Sequence, residues 1–106
     1  MSRSPRLSRQ TATLLVELLA KPGSWRYGYD LIKTTGLSAG TLYPTLIRLA
    51  DSGWLMTRWE ARPEGGRPPR HLYRLTGAGV RAAQAMLARA ADRDWALPGL
   101  PGLIRG

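Results

Sequence analysis

Residues 38–62 read SAGTLYPTLIRLADSGWLMTRWEAR, and a change of period inside this stretch decides the fold. Leu42, Leu46 and Leu49 recur at helical spacing, which predicts a helix from Ala39 or Gly40 to Asp51 with Ser52-Gly53 as its stop. From Trp54 to Arg62 the pattern becomes strand-like, with Trp54, Met56 and Trp59 among its bulky residues. Upstream, a shorter helix is expected at about Tyr27–Thr35, with Leu31 and Ile32 pointing inward, and Thr35-Gly36-Leu37 forms a tight turn. Two helices joined by a short glycine-containing turn are the helix-turn-helix signature. Downstream, His71–Leu75 is a second short strand, and the loop between the strands, Pro63–Arg70, is rich in glycine and proline and carries Arg67 and Arg70. A helix-turn-helix followed directly by a β-hairpin with a basic tip is the winged-helix plan.

Working outward, residues 1–7 form a flexible basic arm with Arg3 and Arg6. Ser8 is placed to cap a first helix in which Leu14, Leu15, Leu18 and Leu19 share a face. Lys21-Pro22-Gly23 ends that helix with a cation, a proline and a glycine in the order helix ends favour. Thr76 caps a fourth helix running to about Asp94, with Val80, Ala83, Met86, Leu87 and Ala90 at helical spacing. The expected class is therefore mostly α with a small β-hairpin. A winged helix-turn-helix domain spans 8–75, a dimerisation helix 76–94, and an aperiodic, proline-rich tail 95–106.

The length of 106 residues suits one domain with one modest core. The densest apolar run, Leu14–Ala20, is interrupted by Glu17, far short of the ~20 residues that cross a bilayer. The N-terminus has basic residues but no apolar segment of signal-peptide type, and there is no cysteine. Both features predict a cytoplasmic protein with no membrane partner. The net charge of +9 attracts polyanions. Lys21 and Lys33 are the only lysines among 16 cationic residues, so 14 are arginine. Such an excess also follows from a GC-rich genome, so position has to decide what the charge is for. One histidine and seven scattered acids offer no nucleophile–base pair, no metal site and no cofactor site, which argues against an enzyme.

Four motifs then carry a resemblance to the PadR family of bacterial transcriptional regulators. They are Tyr27-Gly-Tyr-Asp-Leu31, Gly40-Thr-Leu-Tyr-Pro-Thr-Leu-Ile-Arg-Leu49, Gly53-Trp-Leu55 followed by Trp59, and Gly66-Arg-Pro-Pro-Arg-His-Leu-Tyr-Arg-Leu-Thr76 with Gly79. The order and spacing match over about residues 12–88. The resemblance implies a DNA-binding winged helix, dimerisation through the helix after the wing, and repression often relieved by a small-molecule effector or a stress signal. With one short C-terminal helix, the chain resembles the short subfamily.

The residues expected at DNA lie off the apolar stripe of the recognition helix: Ser38, Gly40, Thr41, Tyr43, Thr45 and Arg48. Hydroxyls donate to phosphate oxygens, Arg48 reaches a phosphate or a guanine edge, and Gly40 lets the backbone approach at the positive helix end. Arg67 and Arg70, held out on a loop stiffened by Pro68-Pro69, suit a narrow minor groove or flanking phosphates. The plainer roles are caps for Ser38 and Thr41, packing for Tyr43, a solvated charge for Arg48, and a strand position beside the wing for His71. Trp54 and Trp59 are expected to pack the hairpin against the helices, with Trp25 near the first loop. Trp95 is placed to meet a partner subunit or a ligand. The expected dimer seam pairs Val80, Ala83, Met86, Leu87 and Ala90 with Leu14 and Leu18 of the partner's first helix, because the fourth helix carries more apolar surface than so small a core hides. The expected function is a homodimeric repressor on a near-palindromic double-stranded operator. The rival is a winged-helix protein-interaction module or anti-repressor that does not bind DNA.

Overall fold

The structure, a computed structural model, describes residues 7–92. The arm residues 1–6 and the tail from residue 93, with Trp95, lie outside the described residues. The elements run α1 (Arg9–Ala20), β1 (Arg26–Tyr27), α2 (Gly28–Thr35), α3 (Ala39–Asp51), β2 (Leu55–Trp59), β3 (His71–Leu75) and α4 (Gly77–Asp92).

Helices α1, α3 and α4 start where the sequence supplies a hydroxyl cap. Ser8 Oγ accepts from the Thr11 N–H at 3.1 Å, Ser38 Oγ from the Thr41 N–H at 3.2 Å, and Thr76 Oγ1 from the Gly79 N–H at 2.8 Å. The helix-turn-helix corner is made at Gly36, whose φ of 76° is the left-handed conformation that ends α2. Helix α3 runs unbroken through Pro44. Pro44 is the sixth residue of α3, so its missing N–H forfeits one intrahelical bond, to Gly40.

The hairpin pairs β2 with β3, from Leu55 opposite Leu75 to Trp59 opposite His71. A two-residue strand that the sequence analysis does not foresee, β1, pairs with the other edge of β3, giving the order β1-β3-β2. Strand β2 is shorter than the expected run because Trp54 turns into the core and its carbonyl accepts from the Thr76 N–H at 2.9 Å.

Leu14, Leu15, Leu18, Leu31, Leu42, Leu46, Leu49 and Leu87 are the largest fully buried side chains, and they come from all four helices. This corrects the expected dimer seam. Leu14, Leu18, Ala83, Met86, Leu87 and Ala90 are buried within their own subunit, and Val80 is half-buried against the same core. In so small a domain the sheet covers only part of α1, and α4 packs on α1 and β3 to close the rest. The apolar stripe of α4 is a core face.

Candidate nucleic-acid interface

On α3 the core stripe of Leu42, Leu46 and Leu49 fixes which residues turn outward. Gly40, Tyr43, Pro44, Ile47 and Arg48 are exposed, while Thr41 is half-buried beside the Ser38 cap. Tyr43 is 37% exposed, with its ring laid across Gly28. A β-carbon at Gly28 would come within 2.6 Å of that ring, which explains why a glycine opens α2 here.

Thr45 corrects the sequence expectation. It is buried, its hydroxyl donates to the Thr41 carbonyl at 2.8 Å, and Arg48 donates to the same hydroxyl at 3.2 Å. A threonine that satisfies its polarity on its own helix needs no solvent, so being off the leucine stripe does not place it at DNA. Ile47, 59% exposed on the outer side of the helix, is not among the expected residues.

The wing differs more sharply from expectation. Arg67 is folded back onto Glu60 in a two-pronged ion pair, with nitrogen–oxygen distances of 2.7 and 3.0 Å. Glu60 also accepts from the Arg70 N–H at 3.3 Å, the Arg70 guanidinium at 3.5 Å and the Tyr27 hydroxyl at 3.1 Å. These partners, Arg67 foremost and against a desolvation cost, hold the Glu60 carboxyl down at about 2. The Arg70 guanidinium lies 3.8 Å over the Tyr27 ring. Arg67 thus ties the loop back to the last rung of the hairpin, and Arg70 is the more exposed of the two. Sequence reasoning misses Glu60; an acid at the last rung before an arginine-bearing loop is the signal that could have found it.

Trp59 does not pack the hairpin onto the helices. It is 63% exposed and stacks on His71 with ring centroids 4.3 Å apart. His71 is a strand residue beside the wing, as its plainer reading has it, with Nδ1 3.3 Å from the Tyr73 hydroxyl. Burial pushes the Tyr73 hydroxyl above its ordinary pKa. On another part of the sheet, Arg58 and Arg74 both lie over the ring of Trp25. Among the described residues no cluster of histidine and acidic side chains could hold a metal ion, and no helix is long and apolar enough to cross a membrane.

A helix-turn-helix whose second helix turns an exposed face outward, beside a hairpin with a basic loop, defines a winged-helix protein. The model of the transcriptional regulator PadR-like family matches residues 15–85, and the chain belongs to that family of regulators, not to an enzyme class. Among solved structures it is similar to a PadR family transcriptional regulator from Eggerthella lenta, at 33% identity and a TM-score of 0.62, covering 76% of this chain and 73% of that one. A protein from Streptococcus mutans is similar over nearly the full length of both, 98% and 99%, at 26% identity and a TM-score of 0.64. The fold is also that of Bacillus subtilis PadR in complex with operator DNA, at 22% identity and a TM-score of 0.62, covering 77% of this chain and 48% of that one. No curated protein matches the chain.

Proposed function

We propose that this chain binds double-stranded DNA sequence-specifically as a homodimer and represses transcription from a near-palindromic operator. The observation that carries the reading is the outer face of α3. Gly40, Tyr43, Pro44, Ile47 and Arg48 stand exposed on a helix whose other side is locked in the core. A 13-residue helix held this way is a rigid probe about 20 Å long, matched in diameter to the major groove. Its N-terminal end, with Ser38, Gly40 and Thr41, suits a phosphate. Tyr43 and Arg48 suit base edges or the backbone, and Arg70 suits the flanking phosphates. The Bacillus protein, which shares this fold, was solved with operator DNA, and that supports duplex DNA as the partner. Regulation by occlusion of a promoter then needs only tight binding at one site.

Selection from a random duplex pool tests this, followed by fluorescence anisotropy at several salt concentrations and a reporter carrying the enriched site. The expected result is one enriched inverted repeat, affinity that falls steeply with salt, and reporter output that drops when the chain is expressed. Failure to enrich any duplex overturns the reading and favours the protein-interaction role, which the internal use of Arg67 by Glu60 would then explain.

A further inference from the structure

At roughly 100° per residue, Gly40, Pro44 and Ile47 fall at i, i+4 and i+7 on the side of α3 opposite Leu42, Leu46 and Leu49. All three are exposed, and Ile47 is 59% so. The apex of this helix therefore carries no side-chain hydrogen-bond donor along two turns. A solvated helix face of ordinary composition is mostly polar, and here glycine, proline and isoleucine leave a continuous apolar strip instead. The flanks are different: Arg48 lies to one side, and Tyr43 to the other, next to the wing. Asp51 extends the stripe by one more turn, and its charge keeps the C-terminal end of α3 away from a polyanion. An apolar ridge with a cationic flank, acidic only at its far end, fits a groove that has phosphates at its rims and apolar groups on its floor.

The major groove has such apolar groups in one place, the C5-methyl of thymine. We infer that Ile47, seated beside Pro44, reads a thymine methyl in each half-site and so sets the sequence preference of the recognition helix. This rests on the DNA-binding reading above. Gly40 and Pro44 let the helix sink far enough for the contact, since neither projects a long side chain toward the base pairs. Ile47 also lines a shallow hollow of about 280 Å³ between α3 and the sheet, with Tyr43, Asp51, Thr57 and Tyr73.

The test is a cycle of one atom group on each side. Each thymine of the enriched operator is replaced in turn, in both half-sites, by deoxyuridine, which removes the methyl and keeps every hydrogen bond. Binding of each duplex is measured for the unmodified chain and for Ile47→Ala. One thymine position is expected to cost the unmodified chain roughly fourfold in affinity per half-site, the scale of burying one methyl-sized group. The same replacement should cost Ile47→Ala little. Equal losses in the two proteins at every position overturn the inference while leaving sequence-specific binding intact. So does an Ile47→Ala variant with unchanged affinity on the unmodified operator, whether or not its self-association changes. If no duplex is enriched in the first place, the DNA reading fails and this inference falls with it. Thermal melting of Ile47→Ala, expected to match the unmodified chain because the side chain is exposed, separates lost contact from lost fold.

Discussion

Glu60 organises the wing by itself. A carboxylate that accepts from two arginines, a backbone N–H and a tyrosine hydroxyl sits in a field that strongly favours its charged form. Its folded pKa of about 2 is below the ordinary 4.5, so the wing gains stability from it above pH 4.5. That contribution fades as pH falls from about 4.5 and is gone below about 2. NMR titration of the Glu60 carboxyl is expected to show a midpoint near 2 that rises toward 4.5 in Arg67→Ala. A midpoint near 4.5 in the unmodified chain would contradict the clamp. Glu60→Gln keeps the shape and releases both arginines from a fixed negative charge. Non-specific duplex binding should then strengthen, and its salt slope should steepen by roughly one for each phosphate that a freed arginine engages. An unchanged slope would mean that neither arginine reaches DNA when freed. On the recognition helix the matching test is Gly28→Ala, which forces the Tyr43 ring out of its seat. Operator affinity should fall by the ~1–3 kcal/mol of one good specific contact with the melting temperature little changed, because the ring tip can swing into solvent.

At the level of elements, α4 completes the core, and its attachment is steric as well as apolar. A β-carbon at Gly79 would overlap the backbone carbonyl of Trp54, and a carbonyl held by the Thr76 N–H cannot move aside cheaply. Gly79→Ala is therefore expected to lower stability by roughly 1–3 kcal/mol, the range for an overpacked site. Leu87→Ala should cost about 2–5 kcal/mol, and the loss should not depend on protein concentration, since the cavity opens inside one subunit. A Leu87→Ala defect that vanishes at high concentration would return that residue to a subunit seam. The helices and the hairpin were legible in the sequence because caps, a left-handed glycine and a switch of period are local signals. What covered each apolar face was not. Periodicity shows that Val80, Ala83, Leu87 and Ala90 share a side, but whether α1 of the same chain or of another lies there is a question of tertiary geometry. Strand β1 is too short for any period to register. The wing clamp folds Arg67 back across the loop onto Glu60 and brings in Tyr27 from far along the chain, and Thr45 hides its polarity in a bond one helical turn away.

Across the whole molecule, the mismatch between one recognition helix and a useful operator argues for pairing. One 13-residue helix entering a groove by its N-terminal half touches only a few base pairs, too few to define a site. With Ala83, Met86, Leu87 and Ala90 of α4 and Leu14 and Leu18 of α1 buried inside the subunit, the surfaces left for a second copy include the half-buried Val16 and Leu19 of α1 and Val80 and Ala82 of α4. We expect a dimer at micromolar concentration by sedimentation, with two α3 helices placed in successive major grooves. Such a dimer fixes the rotation between half-sites as well as the distance, because both helices must meet the same face of the duplex. Half-sites about 10 bp apart, or a multiple of that, satisfy both conditions. Inserting about 5 bp between them, half a helical turn, carries one half-site to the far side of the DNA, and affinity should drop toward that of an isolated half-site. Inserting about 10 bp restores the rotation and tests the distance alone. The half-turn insertion is the decisive arm: if it leaves affinity unchanged, the two recognition helices do not act as one rigid pair. The +9 charge would then bind duplex without the symmetry that an operator needs.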